Sequence, residues 1–245
     1  MGSLLIRERY KVVRVIALEP DYALLEAVDI SERETPSCLL NLYEGQLLHR
    51  YARICTGIKK EDCPAFRGMF LEQGTLVAAF DRGSGEGIDK LFYRGDRWEW
   101  RDRLEYAEFM LHRALSFANL PPEVGCAALL SENVLFDLPN RRVNTQWMLK
   151  PMEDMNPREI ALLAADQVRK ILPPSVKAGP EEQRFLDQLE GGEFPNVVAL
   201  YGRWREARAA ILAEREAFEE KNFIRRGLIL LGRTIRRSVG RGGLG

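Results

Sequence analysis

Cys126-Ala127-Ala128-Leu129-Leu130-Ser131-Glu132-Asn133-Val134-Leu135-Phe136-Asp137 is the stretch on which the reading of this sequence turns. It opens with three small uncharged residues. After four more comes a single amide, Asn133, and then a short apolar run, Val134 to Asp137, that suits a strand. A turn at Pro139-Asn140 and a second short strand near Val143 follow. Upstream, Trp100 to Ala118 sets Leu104, Ala107, Leu111, Leu115 and Ala118 along one side of an amphipathic helix. Pro121-Pro122 is expected to end that helix, because proline removes a backbone donor. A Gly-rich joint, Arg82-Gly83-Ser84-Gly85-Glu86-Gly87, separates this half from a first third of different character.

That first third reads as strands. Tyr10 to Ala17, Ala23 to Ile30 and Cys38 to Tyr43 are apolar runs split by turns at Glu19-Pro20-Asp21 and before Pro36, the pattern of an antiparallel meander. From Gln46 to Ile58 the period changes to 3.6, with Leu47, Tyr51, Ile54 and Ile58 on one face. Phe66 to Glu72 and Thr75 to Phe80 form a hairpin across Gln73-Gly74. The expectation is five strands and one helix. On the C-terminal side, Asn156-Pro157 starts a helix to about Ile171, Pro173-Pro174 breaks it, and a second helix covers about Pro180 to Leu189. A long helix runs from Pro195 to about Asn222, with Val197, Tyr201, Trp204, Ile211 and Phe218 on its apolar side. The resulting division is 1–82, 83–222 and a tail, 223–245.

The bulk numbers narrow the classes. The 245 residues suffice for one two-lobed domain, and 46% hydrophobic with 29% charged residues is ordinary for a globular protein. Formal net charge is zero, yet no acid follows Glu220, so the seven cations after it leave 29 cations against 36 acids before it, a net of −7. An acidic body with a basic tail points to a partner for the tail. Four scattered cysteines and two histidines, His49 and His112, argue against a zinc site. Low cysteine density without a signal peptide favours a reducing, cytoplasmic setting. No run of 18 apolar residues occurs.

The order of five strands with a helix after the third, a Gly joint, a long helix, a loop and two short strands resembles that of a protein kinase. The likeness covers roughly residues 8–150 and is strongest at 126–137. It implies an α+β, protein-kinase-like two-lobed fold: a five-stranded antiparallel N-lobe with one helix, and a reduced, mostly helical C-lobe. The family's catalytic loop reads His-Arg-Asp, four residues, then Asn. Its spacing and its Asn133 are kept, but its first three positions fall on Cys126, Ala127 and Ala128. The turn matching the phosphate-binding loop, Ala17 to Tyr22, has no glycine and carries Glu19 and Asp21. The third-strand lysine falls on Asn41, and residues 45–60 hold no acid to pair with it. The catalytic aspartate matches Ala128, which cannot orient a hydroxyl. The metal-binding Asp-Phe-Gly falls on Gln146-Trp147-Met148, or one residue later on Trp147-Met148-Leu149, without the carboxylate that Mg²⁺ prefers. Phosphoryl transfer depends on positioned charge, and those positions are neutral here. Asn133 is the weak candidate for residual nucleotide binding, set against its use as a structural loop amide. Trp147 is expected to fill the core or the cleft.

In the tail, Ile224, Leu228, Leu231, Ile235 and Val239 cluster within about 80° of one another at 100° per residue. Arg225, Arg226, Arg233, Arg236, Arg237 and Arg241 lie on the opposite half. A basic amphipathic helix suits an anionic membrane surface or an acidic groove. Nucleic acid is not expected, since the acidic body repels phosphate. A degenerate kinase domain followed by a basic segment is similar in layout to the cytosolic half of the EssB/YukC family, membrane pseudokinases of bacterial type VII secretion, which continue into a membrane span. The reading that results is a catalytically inactive, non-enzymatic pseudokinase. It binds a protein partner as a scaffold in bacterial signalling or in a membrane-associated assembly, uses no cofactor, and sits at the inner face of the membrane. The rivals are a residual nucleotide binder or atypical phosphotransferase, and a plain α+β interaction module.

Overall fold

In the computed structural model the described residues are 5–241, apart from 94 and 222; the side chains of 223 and 235–241 also fall outside the description. The N-terminal lobe is one antiparallel sheet of β1 (Leu5–Ile6), β2 (Tyr10–Glu19), β3 (Tyr22–Asp29), β4 (Ser37–Tyr43), β5 (Phe66–Glu72) and β6 (Thr75–Asp81), in the order β1-β2-β3-β4-β6-β5. It therefore has six strands rather than five. Arg7 and Glu8 take positive φ values of 51° and 52°, and this turns Leu5 and Ile6 back onto Lys11 and Tyr10. A two-residue strand is too short to leave a periodic trace in the sequence.

Side-chain alternation splits the sheet's residues between two apolar layers. On β4, Cys38 and Leu40 join Tyr10, Leu25, Ala27, Val77 and Ala79 in a small outer cluster. Leu39 and Tyr43 point the other way, with Tyr22, Leu24, Ala78 and Phe80, into the main core. Period two puts Asn41 between Leu39 and Tyr43, on the side that meets the helical lobe. The helix α1 (Gly45–Thr56) packs on that side through Tyr51, Ile54 and Cys55.

The joint leads into β7 (Glu86–Gly87) and a short helix, α2 (Ile88–Leu91). The helical lobe contains α3 (Trp100–Leu115), α4 (Pro122–Ala128), the hairpin of β8 (Val134–Asp137) and β9 (Arg142–Thr145), α5 (Pro157–Ile171), α6 (Pro180–Gly191) and α7 (Val197–Glu219). Its start signals work as local chemistry requires. Asn156 and Glu159 form a reciprocal capping box with Pro157 at the first helical position, and the Asn196 side chain accepts the Ala199 N–H at 2.9 Å. The basic segment is a helix, α8 (Phe223–Arg241). Among the described residues no helix is long and apolar enough to cross a membrane.

The decisive stretch differs from its expected form. Cys126, Ala127 and Ala128 are the last residues of α4, not part of a loop. Pro121-Pro122 does follow α3, but Pro122 also opens α4, because a proline at the first helical position forfeits an N–H that would have had no partner. All three residues are buried. The chain leaves the helix at Leu129 and makes one 3-10 turn, Ser131–Asn133, before β8.

Candidate functional site between the lobes

The structure brings Asn41, Ala128, Asn133, Gln146 and Trp147 to one place, where the inner face of β4 meets the segment after β9. Asn41 is fully buried. Its Nδ2 donates to the Trp147 carbonyl at 3.0 Å, while its Oδ1 accepts the Leu149 N–H at 2.8 Å and the Tyr22 hydroxyl at 3.1 Å. One turn of pleat further, the Tyr43 hydroxyl donates to the Leu149 carbonyl at 2.7 Å. From α1, the Tyr51 hydroxyl donates to the Lys150 carbonyl at 3.3 Å and accepts the Met152 N–H at 3.2 Å. Arg50 adds an ion pair to Asp154 at 2.9 Å. Residues 147–152 are thus bonded to the sheet lobe along their length. Burial pushes the Tyr43 hydroxyl well above its ordinary pKa, so it stays a neutral donor.

Asn133 closes the arrangement from the other side. Its Nδ2 donates to the Ala127 carbonyl at 2.7 Å and to the Met148 carbonyl at 3.0 Å, and its backbone carbonyl accepts the Gln146 N–H at 2.8 Å. Two carbonyl acceptors fix which end of the amide is nitrogen. The Asn133 Oδ1 is buried with no hydrogen-bond partner. The side chain of Cys126 is buried, and burial pushes its thiol up to about 12.

Trp147 is 3% exposed. Its ring stacks on Phe80 of β6 at 5.5 Å and meets Phe117 edge-on at 5.9 Å, so it joins the cores of the two lobes. Arg113 of α3 lies over both Phe117 and Trp147, with centroid distances of 4.8 and 5.8 Å, and donates to the Thr145 hydroxyl at 3.0 Å. Burial lowers the pKa of this guanidinium. Sequence reasoning passed over Arg113. Its spacing belongs to the amphipathic pattern of α3, and only the tertiary fold sets it against the Trp147 ring.

The joint is packed as closely. A Cβ on Gly83 would lie 2.4 Å from the Thr145 carbonyl oxygen, and one on Gly85, at φ +135°, would lie 2.7 Å from the Phe136 oxygen. The Ser84 carbonyl accepts from Asn144 at 2.8 Å. Only glycine permits this approach of joint to hairpin. Among the described residues no cluster of His, Cys, Asp or Glu has metal-binding form.

The tail arginines do not act as one face. Arg233 lies over the Phe218 ring at 5.6 Å and donates to the Lys177 carbonyl at 2.9 Å. Arg226 lines a cavity of about 470 Å³ with Trp100, Arg215, Phe218 and Glu219. Both are turned to the body rather than away from it: Arg233 meets a carbonyl and a ring there, and the Arg226 Nε is buried without a hydrogen-bond partner. Arg225 lies on the exposed flank. The side chains of Arg236, Arg237 and Arg241 lie outside the described residues.

No protein-family model matches the chain, and no curated protein matches its sequence. Solved structures do match. The kinase domain of Mycobacterium tuberculosis PknI aligns with a TM-score of 0.53 at 12% identity, covering 87% of this chain and 99% of that one. A double mutant of the same domain aligns with a TM-score of 0.52 at 12% identity, covering 88% and 99%. At this identity the likeness is one of architecture, and it leads to a single statement: the chain has a protein-kinase-like α+β fold.

Proposed function

We propose that this protein is a pseudokinase, a kinase-like fold that binds another protein as a scaffold instead of transferring phosphate. The observation that carries the reading is the commitment of Asn41. It stands where the resembled family has its phosphate-holding lysine, and its amide is spent on Tyr22, Trp147 and Leu149. A neutral amide supplies no charge to a phosphate, and freeing it would leave three buried backbone or hydroxyl groups unpaired. Trp147 supports the same conclusion, since neither Gln146 nor Trp147, the two matches for the family's metal-binding aspartate, offers a carboxylate, and the indole joins the two cores.

A second reading rests on one atom. The Asn133 Oδ1, buried and without a partner, is an acceptor that a small cation or a water would satisfy, and it favours residual nucleotide or metal binding. One experiment separates the two: thermal unfolding with and without ATP, in Mg²⁺, in Mn²⁺ and without metal. Ligand at 100 times its dissociation constant adds about 2.7 kcal/mol, which moves the midpoint of a chain this size by roughly 5–10 °C. The pseudokinase reading expects no shift under any of these conditions. A metal-dependent shift that Asn133→Ala removes would overturn it in favour of the second.

A further inference from the structure

We propose that the outward face of α8 is a docking surface for an anionic lipid bilayer. The side of the helix turned to the protein carries Arg226, Ile229, Leu230 and Arg233, all half-buried. Arg226, Leu230 and Arg233 face the body, where they meet Phe218, Trp100 and the carbonyl of Lys177. The opposite side carries Ile224, Leu228 and Leu231, which are 72%, 65% and 60% exposed. At 100° per residue these three lie within about 60° of one another, on one stripe. The spacing continues in the sequence through Ile235 and Val239. An amphipathic helix lying on a protein ordinarily turns its aliphatic stripe to the core and its cations to water. Here the side on the body mixes Arg226 and Arg233 with Ile229 and Leu230, and three large aliphatic side chains in register are left facing outward.

The charges select the occupant. Residues 221–245 hold seven cations and no acid. Pairing this face with the same face of a second copy would bring arginine flanks together with no carboxylate between them, which costs free energy. A bilayer containing anionic lipids complements both features. The aliphatic stripe enters the boundary between headgroups and acyl chains, and the sequence places Arg225 and Arg236 on the helical flank beside that stripe, at the level of the phosphates. The remaining 220 residues carry a net charge of −7 and are repelled by the same surface, so the molecule arrives with α8 foremost. The surface does not depend on whether the cleft binds nucleotide.

The test is flotation of the full chain with vesicles of phosphatidylcholine alone and with about 30% phosphatidylserine added. Binding is expected on the anionic vesicles, at least about tenfold above the neutral ones, and it should weaken as salt is raised. The double variant Leu228→Glu with Leu231→Glu should bind about 100-fold more weakly or worse, as the loss of two inserted leucines requires. Its thermal midpoint should match the parent's, because both side chains face water. Three outcomes overturn the proposal: no binding to anionic vesicles, binding that the double variant retains, or self-association or capture of a protein through this face that the double variant abolishes while vesicles stay unbound. None of these outcomes bears on the nucleotide experiment, so the two readings stand or fall separately.

Discussion

Asn41 and Trp147 meet across the boundary between the lobes, with the Asn41 amide nitrogen 3.0 Å from the Trp147 carbonyl oxygen. The other end of the same amide takes the Leu149 N–H at 2.8 Å. A side chain from the middle of a strand thereby reads two alternate residues of a segment more than a hundred positions away. The contact joins the sheet lobe to the segment after β9, and the behaviour of several variants follows from it.

Asn41→Lys puts a cation at the centre of this contact. It should destabilise the protein by about 3–5 kcal/mol, since an ammonium would be buried and the Leu149 N–H and Tyr22 hydroxyl would lose their acceptor. Urea unfolding measures this. A variant as stable as the parent would show that the Asn41 bonds do not hold the lobes together.

Trp147→Ala removes the ring that stacks between Phe80 and Phe117, and should cost about 3–5 kcal/mol. The cavity left would also remove the ring face under Arg113. If the variant instead kept parental stability and gained an ATP-dependent thermal shift, Trp147 would be acting as a removable plug rather than as core.

Asp29 governs the acid limb. Burial by itself would raise its pKa, but the Arg9 hydrogen bonds and those from Ser31 outweigh burial and hold it well below the usual carboxylate range. Arg67 adds a second ion pair at 3.2 Å. A depressed folded-state pKa means that the stabilisation is fully present above the unfolded value, near about 4, and is lost as pH falls from there toward the folded value. Asp29→Asn should therefore cost about 3 kcal/mol at neutral pH and flatten the loss of stability below about pH 4. Urea midpoints measured from neutral pH to about pH 3 test it; parallel pH curves for parent and variant would assign the acid limb to other groups.

Gly83→Ala tests the joint. The added methyl would meet the Thr145 carbonyl oxygen at 2.4 Å, a contact between two pieces of backbone that cannot both give way. A loss of about 2 kcal/mol or more is expected, with increased proteolytic cutting near the joint. A neutral substitution would mean that joint and hairpin separate readily in solution.

Much of this architecture was legible in the chain. The strands of the meander and the hairpin from Phe66 to Asp81 carry their period openly, and Asn156-Pro157 announces α5 in the residues themselves. The elements that were missed are short or ambiguous. Leu5–Ile6 and Ile88–Leu91 are too brief to show a period, and the second proline of Pro121-Pro122 reads equally as the end of one helix or the start of the next.

The sequence by itself determined that Asn41, Ala128, Gln146 and Trp147 carry no charge, and that α8 has one aliphatic stripe with its arginines on the other half. Residue identity and local periodicity are enough for that. Only the tertiary structure decided that Asn41 is bonded to Trp147 and Leu149, that Arg113 covers the indole, and that α8 lays Arg226 and Arg233 on the body and leaves Leu228 and Leu231 outside. Those outcomes depend on partners remote in the chain. A helix pattern states which faces differ, and it is the charge and shape of the neighbour that settle which of them is covered.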